Sequence, residues 1–399
     1  MLIQIDDTVT KHIESNKQNL NWDSLEIRAL NNIAKAFQEG YHIVSASLEA
    51  LEILAKLDLL EYNSQRTYHY LLNKFTFLPA YEENVSSYIL VKSNDFDFQR
   101  NEEHPDKVIF EVPLNRYSSF KPLFPTTLLS ENYSDCEFYN RIANKYISEN
   151  KAKINVNLNF NLLSGGGSQS YIVYEREINK GSMILAIGDN DKSYPTDHEG
   201  ETLTQLKNVH SKYYKDNAVE LYGLNVREKE NLIPPSMYRM CCNGSAMDVL
   251  KKLEQIEELT EHQSKLMYLD IKEGIKAKNI KDEQYKEYYR ELFEVVDLIS
   301  CSLDEVYEKK DEDILMIGIG KKLDAFIKDV FEGGLEANLE DKKKIAQAEG
   351  IPDYVIKKLE EDILKKKNLI NNLPDYLKNE WKDLSHKIIS WGCCDYPIA

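Results

Sequence analysis

The stretch Met183-Ile-Leu-Ala-Ile-Gly-Asp-Asn-Asp191 decides the fold prediction, because a short apolar run leads directly into acidic residues. Apolar runs of this length are typical of strands that are buried on both faces of a sheet. Similar runs occur at Thr127–Glu131, Ile154–Leu163 and Val219–Leu224. Segments with helical spacing separate them, at Ser134–Asn150, Ser168–Lys180 and Glu201–Asn217. This alternation predicts βαβ units and a largely parallel sheet.

The 399 residues suffice for two or three domains, and changes of pattern divide the chain into three regions. Residues 1–120 mix helical spacing with β-type runs at Tyr88–Val91 and Val108–Val112. Residues 121–240 contain the strand–helix alternation. Residues 241–399 are helical in pattern, with predicted Lys- and Glu-rich helical segments such as 251–261, 283–303 and 342–367. The predicted fold is an α/β core with a parallel sheet, flanked by an N-terminal helical and β region and a C-terminal helical region.

Charge and cysteine usage narrow the possible partners and compartments. The formal net charge of −17 repels nucleic-acid phosphates at long range, so a polynucleotide would have to be bound locally. The six cysteines lack the regular spacing of a disulfide framework, and the first residues carry no targeting pattern. No apolar run approaches the roughly 20 residues that span a bilayer. We therefore expect a cytoplasmic chain without membrane spans.

Two acidic residues surround the end of the first predicted strand of this core. Glu131 ends the strand, and a capping box formed by Ser134 and Glu137 is expected to begin the next helix. Asp135 then lies in the first helical turn, close to Glu131. Taken alone, Asp135 is explained as well by its favourable interaction with the helix N-terminus.

Two further carboxylates follow the strand that ends at Gly188. Asp189 and Asp191 are two residues apart, and in extended chain such residues point to the same side. If the strands are parallel, all four carboxylates meet at one edge of the sheet, where their repulsion favours a bound cation. An all-oxygen ligand set suits Mg²⁺ or Mn²⁺.

Two other segments add candidate binding residues. The turn Gly165-Gly166-Gly167 lies between a strand and a helix, and its amides either approach a phosphate or form a tight turn. In the charged turn after Leu224, one of the two glutamates Glu228 and Glu230 is expected to close the site, and Glu230 is the candidate metal ligand. Arg227 and Lys229 beside it either contact a phosphate or remain solvated.

Together these residues resemble the Toprim domain of topoisomerases, bacterial primases and overcoming-lysogenization-defect nucleases. The resemblance rests on Glu131 and Asp135 after one strand, the Gly-rich turn, Asp189-x-Asp191 after another strand, and Glu230-Asn231. It extends over residues 125–235 and looks most like the stand-alone Toprim effectors of bacterial antiphage systems, including PARIS-type systems. Where that family has Gly after its first Glu, this chain has Asn132, which tolerates the same left-handed turn.

The resemblance implies a Mg²⁺-dependent nuclease that acts on DNA or RNA, including tRNA. Its metal ligands would be Glu131, Asp135, Asp189 and Asp191, and Glu131 would also take part in proton transfer. For this chemistry Lys192, next to Asp191, is the candidate for stabilising the leaving oxygen.

The partners expected from the resemblance are nucleic acid and an ATPase sensor. The chain carries no Gly-x-x-x-x-Gly-Lys-Ser/Thr pattern of its own, since Gly318-Ile-Gly320-Lys-Lys lacks it. A homo-oligomer is also compatible with the sequence. The rival interpretation is a non-catalytic Toprim scaffold or regulatory subunit of a defence complex.

Overall fold

The computed structural model of the chain describes residues 1–239, 242–323, 331, 340, 343–345, 352, 354–358, 360–361, 364, 368 and 372–397. Helices and strands alternate along much of this part, and its two larger sheets are built mainly from parallel strands. The predicted mixed α/β class with a parallel sheet is thereby confirmed. No helix among the described residues is long and apolar enough to cross a membrane.

The chain divides into two compact units. The first contains Met1–Gly188, Glu201–Gly223 and Lys382–Ala399, and the second contains Asp189–Gly200 and Leu224–Trp381. The first unit therefore includes the N-terminal region together with most of the α/β segment, whereas the sequence analysis divided the chain at residues 120 and 240.

A five-stranded sheet forms the N-terminal part of the first unit. Its strands are β1 (Leu2–Ile5), β2 (Ile43–Ala46), β3 (Ser87–Lys92), β4 (Gln99–Asn101) and β5 (Val108–Pro113), in the order β2-β1-β3-β5-β4. Only β4, at the edge, pairs antiparallel. The sequence analysis predicted β3 and β5 but not β1 and β2, since these two strands are four residues long and are flanked by helical spacing.

The predicted parallel sheet is the second sheet of this unit. It contains β6 (Thr127–Ser130), β8 (Asn161–Ser164), β9 (Ile184–Gly188) and β10 (Val219–Gly223), in the order β10-β9-β6-β8. All neighbouring strands are parallel. Its hydrophobic core joins strand residues to residues of the covering helices: Leu129, Tyr174, Ile178, Ile184, Ala186, Leu206, Val209 and Val219.

The single strand predicted for Ile154–Leu163 is two separate elements. β7 (Asn157–Leu158) pairs antiparallel with β13 (Cys393–Cys394), while β8 joins the parallel sheet. The apolar C-terminal tail therefore packs onto the first unit of its own chain through β13. Cys393 and Cys394 are buried free thiols, whereas Cys241 lies outside the described residues.

Eight α-helices lie within the first unit's described residues: α1 (Asp7–Asn16), α2 (Leu25–Gln38), α3 (Leu48–Ala55), α4 (Tyr62–Asn73), α5 (Leu78–Glu83), α6 (Tyr133–Glu149), α7 (Ser170–Asn179) and α8 (Glu201–Tyr213). Of these, α6, α7 and α8 are the helices predicted between the strands of the parallel sheet. Each presents buried apolar residues on one face and exposed polar residues on the other, which is the pattern that predicted them.

The second unit is mainly helical where it is described. Its helices are α9 (Pro235–Tyr238), α10 (Ala246–Glu258), α11 (Ala277–Lys281), α12 (Glu283–Val295), α13 (Leu303–Val306) and the start of α14 (Asp375–Gly392). The antiparallel pair β11 (Gly274–Lys276) and β12 (Ile314–Ile317) was not predicted. The predicted helix 283–303 is wrong at its end, because α12 stops at Val295 and Asp297 adopts a left-handed φ of 54°. Most of the predicted helix 342–367 lies outside the described residues.

Candidate functional site

In the first unit, Glu131 directly follows β6 and is bonded to the glycine turn through its backbone. The Gly165 N–H donates to the Ser130 carbonyl at 2.7 Å, and the N–H groups of Gly166 and Gly167 donate to the Glu131 carbonyl at 3.0 and 3.3 Å. These amides, for which the sequence predicted phosphate contacts, thus hold the turn against the end of β6.

The turn needs glycine for two physical reasons. Gly166 and Gly167 have φ of +76° and +69°, a region that residues with a Cβ atom adopt at a cost. A Cβ atom on Gly165 would lie 2.2 Å from Ser170 Oγ, and one on Gly167 would lie 3.6 Å from Glu131 Oε1. The turn therefore passes close to the Glu131 carboxylate, and tight-turn geometry accounts for its three glycines.

Asp135 lies at the start of α6, but the predicted capping box of Ser134 and Glu137 is wrong. The helix begins one residue earlier, with Asn132 as its N-cap. Asp135 Oδ2 accepts a hydrogen bond from the Asn132 N–H at 2.9 Å, and the residue is 4% exposed. A carboxylate at this position satisfies a backbone donor that the helix itself leaves without a partner.

In the second unit, the loop that begins at Asp189 is turned and not extended. Asp191 has a φ of 58°, so the chain is not extended at this residue, as the sequence analysis had assumed; that Asp189 and Asp191 lie on the same side stays a prediction. Asp tolerates this left-handed conformation better than most residues. The turn is held by Arg227, whose carbonyl accepts the Asp191 N–H at 2.9 Å and whose Nη1 donates to the Asp191 carbonyl at 3.0 Å.

The Asp191 carboxyl group packs against the backbone of Gly200. A Cβ atom at residue 200 would lie 2.1 Å from Asp191 Oδ2, so this contact requires glycine. Loss of surrounding water raises the pKa of the Asp191 carboxyl, against the opposing charges of Arg227 and Lys272, although the residue as a whole is exposed. The neighbouring Lys192 N–H donates to Asn190 Oδ1 at 2.8 Å and helps to close the loop.

Two buried glutamates of the same unit lie beside one lysine. Lys272 Nζ is 3.5 Å from Glu228 Oε2 and 3.4 Å from Glu230 Oε1. Glu228 is 9% exposed and Glu230 is 3% exposed. Among the described residues, neither Glu228 Oε1 nor Glu230 Oε2 has a hydrogen-bond partner. One ammonium group therefore faces two carboxylates, and two buried carboxylate oxygens are left for a further proton or cation.

Burial and mutual charge shift the pKa values of Glu228, Glu230 and Lys272. Burial raises the pKa of Glu228 to about 7, and the charge of Glu230 adds to the rise while Lys272 opposes it. Burial likewise raises the pKa of Glu230 against the attraction of Lys272. Burial lowers the pKa of Lys272, but the two glutamates outweigh this effect and raise it, so the lysine is charged.

A rigid backbone turn holds Glu228 and Glu230 in place. Asn231 Nδ2 donates to the carbonyls of Leu266 and Leu269, each at 2.8 Å, and Tyr238 Oη donates to the Glu230 carbonyl at 2.9 Å. The two residues of the predicted Glu230-Asn231 pair therefore differ in role: the Asn231 side chain fixes the turn, and the turn carries the Glu230 carboxylate.

The segment Gly318-Ile-Gly320 packs against Lys272 and Glu230. A Cβ atom on Gly318 would lie 1.9 Å from the Lys272 carbonyl oxygen, and one on Gly320 would lie 3.0 Å from Glu230 Cγ. Its glycines are therefore explained by close backbone approach.

Arg227 links the Asp191 loop to a third acidic residue. Its guanidinium donates to Ser193 Oγ at 2.8 Å and forms an ion pair with Asp270 Oδ2 at 3.3 Å. Asp270 and Lys272 were missed by the sequence analysis. Their signal in the sequence is the alternation of buried Leu269 and Ile271 with these polar residues, although the segment forms a turn before β11 and not a strand.

The acidic side chains of the site differ in how well they fit a divalent cation. Among the described residues, no group of three or more His, Cys, Asp or Glu side chains is arranged to hold a metal ion. By chemistry, Glu228 and Glu230 fit best, because carboxylate oxygens suit Mg²⁺ or Mn²⁺ and each has an oxygen without a partner.

No protein-family model, no curated protein and no solved structure matches this chain. The function is therefore inferred from the chain's own residues and their geometry.

Proposed function

We propose that the chain is a metal-dependent nuclease whose acidic group in the second unit comprises Asp189, Asp191, Glu228, Glu230 and Lys272. The observation that carries the proposal is Glu230, which is 3% exposed yet keeps one carboxylate oxygen without a partner beside a charged lysine. Burying such an oxygen costs free energy, so its retention is explained by a ligand that this oxygen binds.

The chemistry assigned to these residues is cleavage of a phosphodiester bond. Glu228 and Glu230, each with a carboxylate oxygen that has no hydrogen-bond partner among the described residues, would hold a Mg²⁺ or Mn²⁺ ion, which when bound polarises the phosphate and lowers the pKa of a bound water. The metal roles of Asp189 and Asp191 stay predictions. Lys272 places a fixed positive charge where negative charge develops on the phosphate oxygens. It fits this role better than Lys192, because its ammonium group contacts the buried carboxylates.

The Toprim assignment and its consequences belong to the same proposal. In support, the second sheet of the first unit is fully parallel, and Glu131 follows β6 as the resemblance requires. The metal roles of Glu131 and Asp135 and the phosphate role of the glycine turn stay predictions. The substrate would be DNA or RNA, including tRNA, in a cytoplasmic antiphage effector that works with an ATPase partner or as a homo-oligomer.

The alternative is a non-catalytic Toprim scaffold or regulatory subunit. It is favoured by Lys272, which already supplies a positive charge to Glu228 and Glu230, and by the structural hydrogen bond of Asp135. A scaffold would keep its partner binding after the Asp189 and Asp191 carboxylates were removed.

The test is cleavage of labelled plasmid DNA and of total tRNA by purified protein with Mg²⁺, Mn²⁺ or EDTA. Metal-dependent cutting should be lost in Asp189→Ala/Asp191→Ala and in Asp191→Asn. Asn removes the charge of Asp191 but tolerates the same left-handed backbone conformation. The matched control is Asp248→Asn, an aspartate whose side chain is 77% exposed in the same unit. Cutting that survives in both variants would refute the proposed site.

A further inference from the structure

A cavity of about 490 Å³ lies at the amino ends of the parallel strands in the first unit. Thr127 and Asn161, the first residues of β6 and β8, line it, as does Met183 directly before β9. Glu131 follows the opposite end of β6. The cavity is therefore distinct from the strand ends at which the sequence predicted catalytic residues.

One wall of the cavity belongs to an exposed aromatic cluster. Phe124 lines the cavity and is 52% exposed. Its ring centroid lies 5.6 Å from that of Phe120, in an edge-to-face arrangement, and 6.4 Å from that of Tyr41. Neighbouring rings thus support Phe124 from behind while part of its surface faces solvent. Supported, partly exposed rings of this kind are the platforms on which nucleic-acid bases stack.

The charges around Phe124 are positive although the chain is acidic. Lys121 and Lys180 line the cavity and are exposed, and Lys35 Nζ lies 5.2 Å from the ring centroid of Phe120. Among the described lining residues, Glu177 carries the negative charge, but it is 8% exposed and its Oε1 lies 2.6 Å from Lys180 Nζ. Arg176 is also within 3.5 Å of that carboxylate. The exposed charge at the cavity is therefore cationic.

We propose that this aromatic and basic surface binds single-stranded nucleic acid, with a base stacked on Phe124 and phosphates at Lys121 and Lys180. An unpaired base offers its face to an aromatic ring, whereas the bases of a duplex are stacked on one another. The inference rests on the proposed nuclease function and names single strands, or single-stranded loops, as the substrate class. It also gives this acidic protein a local basic contact for a polyanion.

The test measures affinity for a fluorescent 20-nucleotide single strand, as DNA and as RNA, by anisotropy in EDTA with the full chain. Phe124→Ala should weaken binding about 5-fold to 100-fold, and Phe124→Trp should restore it. Lys121→Ala/Lys180→Ala should reduce the slope of log affinity against log salt by about 1.4, because each lost contact with a single strand contributes about 0.7. Phe77→Ala, at a ring that is 65% exposed elsewhere in the unit, should leave binding unchanged.

The outcomes separate this inference from the nuclease proposal. Binding in EDTA needs neither metal nor cleavage. A chain that binds single strands through Phe124 but cuts nothing would therefore support the proposed binding surface and contradict the proposed nuclease function. Unchanged affinity in Phe124→Ala and in the double lysine variant would refute the proposed binding surface, even if the chain cleaves nucleic acid. Equal binding of a duplex of the same sequence would overturn the single-strand assignment.

Discussion

Asp135 in the first unit and Glu230 in the second are both buried carboxylates, 4% and 3% exposed, yet their surroundings differ. Asp135 accepts a hydrogen bond from the Asn132 N–H and completes the start of α6. Glu230 contacts Lys272 with one oxygen, while its other oxygen has no hydrogen-bond partner among the described residues. Burial alone therefore does not distinguish a structural carboxylate from a candidate binding group.

The difference teaches where a functional acid is to be sought. A buried carboxylate that satisfies a backbone donor stabilises its own element, and its removal is felt mainly in folding. A buried carboxylate with an unused oxygen destabilises the empty protein, so a ligand or a proton has to account for it. This contrast favours Glu228 and Glu230 over Asp135 as the functional acids.

The largest effect that would sharpen the comparison is on cleavage. Asp191→Asn should lower cleavage at saturating Mg²⁺ by about 100-fold or more, the scale on which loss of one electrostatic contact in an active site acts. Asp135→Asn keeps an oxygen that accepts the Asn132 N–H and should lower cleavage by less than about 10-fold. Single-turnover rates of the two variants test this ranking. An equal loss in Asp135→Asn would support the metal-ligand role predicted from the sequence and break the comparison.

The next effect is on stability. Lys272→Met leaves Glu228 and Glu230 without their shared cation and should lower the free energy of unfolding by about 2–3 kcal/mol. This is less than the roughly 3–5 kcal/mol for a fully buried pair, because the Lys272 side chain is 42% exposed.

The matched control for urea denaturation is Lys278→Met. Lys278 pairs at 3.1 Å with Glu312, whose side chain is 66% exposed, so this loss should stay below about 1 kcal/mol. Equal destabilisation by the two substitutions would mean that the buried glutamates do not depend on Lys272.

The pH dependence of stability follows from Glu228. Burial raises its pKa from 4.5 to about 7, so the folded chain holds a proton that the unfolded chain has already released. The stability contributed by this proton is fully present below about pH 4.5 and is lost as the pH rises through about 7, by at most about 3 kcal/mol. Urea denaturation at pH 5 and pH 8 should show this loss in the wild type, and Glu228→Gln should reduce it. An unchanged difference in that variant would assign the pH dependence to other groups.

Much of the parallel sheet could be predicted from sequence, because its signals are local. β6, β9 and β10 are short apolar runs, and α6, α7 and α8 carry apolar residues on one face, so their predicted limits lie within a few residues of the observed ones. β1 and β2 could not be recognised, because an isolated four-residue strand is stabilised by partners elsewhere in the chain, at Ile43–Ala46 and Ser87–Lys92.

The acidic group was predicted less completely, for a related reason. Asp191 and Glu230 were identified from the chemistry of a short motif, but Lys272 follows Glu228 by 44 residues and no local pattern marks their pairing. Asp135 was placed at the correct helix start, but its hydrogen bond to Asn132 was not foreseen, because two overlapping capping patterns compete there. Side-chain partners depend on the tertiary structure, whereas the local periodicity of apolar residues is enough to predict helices and strands.

The smallest expected effect is on cleavage by a glycine substitution beside Asp191. It distinguishes a displaced Asp191 carboxyl group from general backbone strain. Gly200→Ala places a Cβ atom 2.1 Å from Asp191 Oδ2, so that carboxyl group must rotate away; cleavage should fall about 10-fold, with about 1 kcal/mol lost in stability. Gly181→Ala is the control, because Gly181 has a φ of +79° with no atom within 4 Å of its added Cβ. Its strain should also lower stability by about 1 kcal/mol but leave cleavage unchanged. If both substitutions reduced cleavage in proportion to stability, the orientation of Asp191 would have no special part in the reaction, and the contrast between the two acidic groups would rest on Glu230 and Lys272 alone.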